Sequence, residues 1–182
     1  MTSAAAGNDR NMSADQGVQD VPPFEGYDRE QEHPLGSYGA LVATFNVAFL
    51  GGLAALHRSG RGLPERVGLG DVVLVATATQ KLSRLITRDR VTSALRAPFT
   101  RYQGAAGHGE VEEAARGHGL QRAIGELVVC PYCVSLWVAG GFVLGLAAAP
   151  RPTRLVGATF SALALADALQ LAYSAAEDAS SS

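Results

Sequence analysis

The residues best suited to chemistry are the two cysteines of Cys130-Pro131-Tyr132-Cys133. A C-x-x-C at the start of a helix places one thiol where the helix dipole and unpaired N–H groups favour thiolate. Three uses are open to such a pair. Both thiols can serve as small hydrophobes. They can bind metal, since two thiolates are half of a tetrahedral zinc site that His108 and His118 could complete. They can also exchange with disulfides. The histidine spacing matches no standard zinc module, so a site shared across a dimer is as open as one within a chain, and no cofactor other than zinc is suggested. A second candidate is Asp167, an acid midway along an apolar run. At a bilayer centre it costs about 2.5 to 3.5 kcal/mol, so it needs a partner. Lys81 or Arg84 could supply one, as could hydrogen bonds from Gln170 or Thr159; an ion pathway would make the chain a small transporter or channel subunit. No nucleotide loop, nucleophile elbow or H-E-x-x-H is present, and Gly104 to Gly109 is not followed by Lys-Ser or Lys-Thr, so an enzyme is unsupported.

The elements that must position these residues are mostly apolar. Tyr38 to Leu56 is nineteen residues without a charge, close to the 20 or so that cross about 30 Å of hydrocarbon. Asn46, near its centre, is expected to face another helix rather than lipid. Leu127 to Ala149 and the run around 154–176 are also long enough to span. A fourth stretch, 70–87, has too few uncharged residues to cross unaided. Its Thr77, Lys81, Arg84 and Arg88 fall on one helical face opposite Val73, Ala76 and Leu82, so it can insert with its basic end snorkelling or lie along the surface. The expected fold is all-α, an integral membrane helical bundle with three to four transmembrane helices near 38–56, 70–87, 127–149 and 154–176. Pro98 and the Gly-His-Gly pieces make 88–122 a polar loop with short helical parts, and Pro150 to Arg154 reads as a tight turn.

Composition agrees with lipid as the solvent. Of the 182 residues, 47% are hydrophobic and 18% charged, against about 25% charged in soluble domains. Residues 1–36 are polar and acidic and lack the apolar content to offset ordering entropy, so they read as a disordered tail, as do 177–182 on a smaller scale. The first thirty residues contain no apolar core with a cleavage site, so no cleavable signal peptide is expected and membrane entry falls to an internal helix. Arginine counts beside the spans place both termini in the cytoplasm by the positive-inside rule. The expected partners are the lipid bilayer and a second copy or another membrane protein, for which Gly141 and Gly145 offer a G-x-x-x-G. The basic residues are not gathered into a nucleic-acid footprint.

A linear pattern adds to this. Leu82-Ser83-Arg84-Leu85-Ile86-Thr87-Arg88-Asp89-Arg90-Val91-Thr92, then Leu95-Arg96-Ala97-Pro98-Phe99, then Gly125-Glu126-Leu127 and the cysteine motif with Trp137 resemble the bacterial family catalogued as domain of unknown function 1360, over about residues 70–176. The resemblance implies a small membrane protein of the kind found in bacilli and actinomycetes. It supplies no activity, though sporulation is linked to some bacillus members, so a structural or interaction role in the envelope or in development is the expectation. Val134-Ser135 stands where the family commonly has Leu-Gly. The matched residues make physical sense as a cap at the membrane face: a polar cluster of Arg84, Asp89, Arg96 and Glu126 beside the cysteines, with Thr87 or Thr92 capping a short helix. The four letters C-P-Y-C are also similar to the glutaredoxin site. The βαβ context and later cis-proline strand of that fold are missing.

Overall fold

The computed structural model describes residues 33–60, 64 and 66–180. The tail expected over 1–36 therefore lies outside the described residues for 1–32, and that over 177–182 for its last two. Among these described residues, six helices and a hairpin follow in order: α1 (Leu35–Arg58), α2 (Leu69–Arg88), α3 (Ser93–Arg96), β1 (Thr100–Gly107), β2 (Glu110–Ala115), α4 (Gly119–Val129), α5 (Pro131–Ala148) and α6 (Pro150–Ser180). The chain is mostly helical, as expected, but the all-α reading is corrected by the sheet.

The hairpin replaces the loop expected over 88–122. Its strands pair antiparallel with Thr100 opposite Ala115 and Gly107 opposite Glu110. The two residues between, His108 and Gly109, both have positive φ, at 44° and 81°, which is what a type I′ turn requires and what matches the twist of paired strands. The glycines that disfavour a helix here thus build a turn. Register shifts beside Gly104 and Gly107 bend β1. Along β2, alternation puts Val111 and Glu113 on one face, and both are buried.

Two further boundaries differ from expectation, each at a proline. The apolar run 127–149 is broken at Cys130, where α4 ends and the backbone is extended (φ −102°, ψ 107°). The residue before a proline is pushed out of the α region, and Pro131 then occupies the first position of α5, where its missing N–H is harmless. The expected tight turn over Pro150 to Arg154 is instead the first turn of α6. Its prolines sit where helices tolerate them, and Thr153 N–H bonds Ala149 O at 3.2 Å. Helix α6 runs on to Ser180, so 177–180 are helical.

Among the described residues, three helices are long and apolar enough to cross a membrane: α1, α5 and α6. At 1.5 Å per residue they measure about 36, 27 and 46 Å. Within α1 two polar side chains bond back onto their own helix: Thr44 Oγ1 donates to Ala40 O and Asn46 Nδ2 to Val42 O. Asn46 is exposed and satisfied in this way rather than by a neighbouring helix. Helix α2 is not apolar enough to join this set.

The contacts divide the chain into two compact units. One holds the described residues up to Ala48 with Ile86–Cys133; the other holds Phe49–Leu85 with the residues from Val134 onward.

Candidate functional site

In the first unit the organising side chain is Arg96, 1% exposed. A guanidinium has five N–H donors, and here each meets an acceptor. Nε donates to Glu113 Oε2 (2.8 Å) and Nη2 to Glu113 Oε1 (3.2 Å). The remaining three donate to Ile86 O (2.6 Å), Thr92 Oγ1 (2.6 Å) and Asp89 O (3.0 Å). Arg96 therefore caps carbonyls at the C-terminal end of α2 with one edge and holds the hairpin through a bidentate carboxylate with the other. Thr100 Oγ1 lies 3.0 Å from both Arg96 O and Glu113 Oε2, closing the network.

The expected cluster of Arg84, Asp89, Arg96 and Glu126 is distributed differently. Asp89 contributes its backbone carbonyl to Arg96, while its carboxylate accepts Val91 N–H at 2.8 Å, an Asx turn. Glu126 accepts from Arg122 Nε (2.9 Å) and from the Tyr38 hydroxyl, which ties the first turn of α1 to α4. Arg84 is exposed on α2 and belongs to the other compact unit. Thr92 precedes α3, yet its side chain makes no cap bond there and turns towards Asp89 O instead. The residue that sequence reasoning missed is Glu113. Its signal was its place two residues after Val111, legible only once a strand is recognised. A further constraint is Gly125 on α4, where a Cβ would lie 2.4 Å from Phe99 O and 2.9 Å from Ala115 Cβ. Only glycine lets α4 lie this close to the hairpin.

The cysteines flank the α4–α5 break. Both are free, Cys130 half-buried and Cys133 exposed. Cys130 occupies the cap position of α5: its carbonyl accepts Cys133 N–H at 3.1 Å and its Sγ is 3.3 Å from the same nitrogen. His108 is in the hairpin turn and His118 immediately precedes α4, with no side-chain cap bond. Among the described residues, no group of three or more His, Cys, Asp or Glu is gathered to hold a metal ion.

In the second unit α2 and α6 run parallel along a polar seam. At one end Arg154 grips Asp71 bidentately, Nε to Oδ1 at 2.8 Å and Nη2 to Oδ2 at 2.9 Å. One helical stretch further, the hydroxyls of Thr77 and Ser161 are 2.7 Å apart, and Ser161 Oγ also lies 3.1 Å from Leu74 O. Gly157 lets Leu74 pack against the α6 backbone, a Cβ there being 3.2 Å from Leu74 Cγ. The seam then reaches Lys81, the chain's only lysine, in an ion pair with Asp167. The acid on the apolar run thus has a cation as its partner. The same α2 buries Ala78, Thr79, Ser83 and Thr87 while Val72 and Val73 remain 50% and 61% exposed.

No solved structure matches this chain. Sporulation protein YjcA of Bacillus subtilis (strain 168) is 32% identical to it over 83 residues, which cover 44% of this chain and 70% of that protein. The family described as "Protein of unknown function (DUF1360)" matches residues 74–173, more than half of the chain, running from within α2 through the hairpin and the cysteines to α6. By that match the chain belongs to the DUF1360 family.

Proposed function

We propose that the chain is a multi-pass plasma-membrane protein in which α2 crosses beside α1, α5 and α6, and that it has a structural or protein-interaction role in the cell envelope or in development such as sporulation. The observation that carries the membrane reading of α2 is that it buries hydroxyl side chains while Val72 and Val73 stay exposed. A soluble helix buries its apolar face, whereas α2 buries Thr79, Ser83 and Thr87 beside Ala78 and leaves Val72 and Val73 exposed along with Gln80 and Arg84, so that hydroxyls are inside and these two valines outside, as hydrocarbon permits. Two of its charges, Asp71 and Lys81, are met along the seam by Arg154 and Asp167, as charged groups inside a bilayer must be. Its twenty residues measure about 30 Å, one hydrocarbon thickness. The developmental reading is supported by the likeness to a sporulation protein. The arginines of the 88–122 region support cytoplasmic termini.

Labelling distinguishes four crossings from three. In a cysteine-free background, single cysteines at Gly68 and Gln103 lie on opposite faces of the membrane if α2 crosses and on the same face if it lies on the surface. A membrane-impermeant maleimide applied to sealed cells should label Gly68→Cys and spare Gln103→Cys; equal labelling of both overturns the crossing of α2. Recovery of the full chain in the supernatant after high-speed centrifugation without detergent overturns the membrane assignment itself. Deleting the gene from its native host tests the role. Envelope integrity and completion of development should suffer, and if both are unchanged the role is wrong.

A further inference from the structure

The geometry points to Cys130 and Cys133 as a dithiol site that exchanges with small disulfides and closes to an intramolecular disulfide at the mouth of α5. The i to i+3 backbone bond from Cys133 N–H to Cys130 O, 3.1 Å, belongs to a turn whose end Cα atoms lie within about 7 Å. That is compatible with the window of about 4.4–6.8 Å that a disulfide spans. The Cys130 Sγ already leans over this turn, 3.3 Å from Cys133 N. The two sulfurs are not bonded to each other, and Cys133 is exposed in the first turn of α5, where α4 breaks away. Tyr132 between them is 87% exposed, so it does not cover the pair.

A capping role alone would need only residue 130. The sulfur there accepts a backbone N–H, and a serine could do the same. Nothing in the cap requires a thiol at 133. Two thiols in one turn are what exchange requires.

The reaction with a disulfide R–S–S–R balances within the pair. One cysteine, as thiolate, attacks a sulfur of R–S–S–R, forming a protein–S–S–R bond and releasing RS⁻, which takes up a proton. The second cysteine then attacks the protein sulfur of that bond, forming Cys130–S–S–Cys133 and releasing the second RS⁻, protonated in turn. Two thiols are oxidised, one small disulfide is reduced to two thiols, and the two protons come from the cysteines.

The test uses the full chain in its native membranes, equilibrated with mixtures of reduced and oxidised glutathione, quenched in acid and counted for free thiols with a mass-tagged maleimide. The wild type should pass from two tags to none in a single step while remaining monomeric. Cys130→Ser and Cys133→Ser should each hold a stable adduct of one glutathionyl group, at least about tenfold more populated than on the wild type, because the neighbouring thiol resolves it at high effective concentration. Serine at 130 retains the cap oxygen, so that variant keeps the fold. A one-tag species dominating the wild type overturns the proposal, as does a wild type that keeps both tags at a poise where either single variant is glutathionylated.

Discussion

Replacing Glu113 by leucine should release the hairpin from the end of α2. The Arg96 and Glu113 side chains are 2% and 5% exposed, so the substitution strands a guanidinium that water reaches poorly. Arg96 would keep its bonds to Ile86 O, Thr92 Oγ1 and Asp89 O and lose the two to the carboxylate. Charged hydrogen bonds contribute about 1.5–3 kcal/mol each, so two amount to about 3–6 kcal/mol. Breaking a buried ion pair by removing one partner independently gives about 3–5 kcal/mol. The effect is local, and limited trypsin digestion of the detergent-solubilised protein reads it at Arg101 and Arg116, on β1 and just after β2. When reclosing outpaces cleavage, the rate follows the open population, and 3 kcal/mol corresponds to about a hundredfold increase. Arg96→Met should act similarly, and the double variant should be cleaved no faster than either single one, since both remove the same network. Cleavage of Glu113→Leu within about threefold of the wild type would show that the network does not hold the hairpin. Fully additive effects in the double variant would refute the coupling.

Other substitutions test the remaining constraints. Gly125→Ala sets a methyl group against Phe99 O and Ala115 and should cost about 1–3 kcal/mol of hairpin stability, whereas Gly141→Ala, with nothing within 4 Å, should be neutral; hydrogen exchange of β2 separates the two. Asp167→Leu leaves Lys81 uncompensated on α2 and should lower the membrane-inserted yield, while adding Lys81→Met should recover it, as quantified by the fraction that resists extraction with alkaline carbonate. If the double variant is no better than Asp167→Leu, the ion pair is not what seats α2. In the hairpin turn, His108→Asn should be tolerated at φ 44° and His108→Val should destabilise by about 1–2 kcal/mol, measured by thermal melting in detergent.

How much of this was legible in the sequence depends on the scale of the signal. The long apolar runs were readable because crossing hydrocarbon would set a minimum length: Tyr38 to Leu56 lies within α1, the run 154–176 lies within α6, and the run 127–149 ends one residue past α5. The hairpin was not, because its strands alternate weakly and carry glycine and alanine, and its turn glycines are equally good evidence for a loop. The breaks at Pro131 and Pro150 show that one residue type ends or begins a helix according to its position. Among the site residues, Arg96 was readable as important but its partner was not. Asp89 and Glu126 were near in sequence or type, whereas Glu113 becomes adjacent only through β pairing. The Asp71–Arg154 pair and the Thr77–Ser161 contact, eighty-odd residues apart, leave no local trace at all.

The seam between α2 and α6 also sets an order of events at the ribosome. Helix α2 emerges first, with Asp71 and Lys81 unmatched, and its counterparts Arg154 and Asp167 are synthesised more than eighty residues later. If the chain inserts as proposed, the translocation machinery until then handles a segment too polar to be released into lipid alone. In a chain that inserts as proposed, α2 waits at the channel or the surface and enters only when α6 arrives beside it, so truncation before Arg154 should leave α2 stranded outside the hydrocarbon and expose it to quality-control proteolysis.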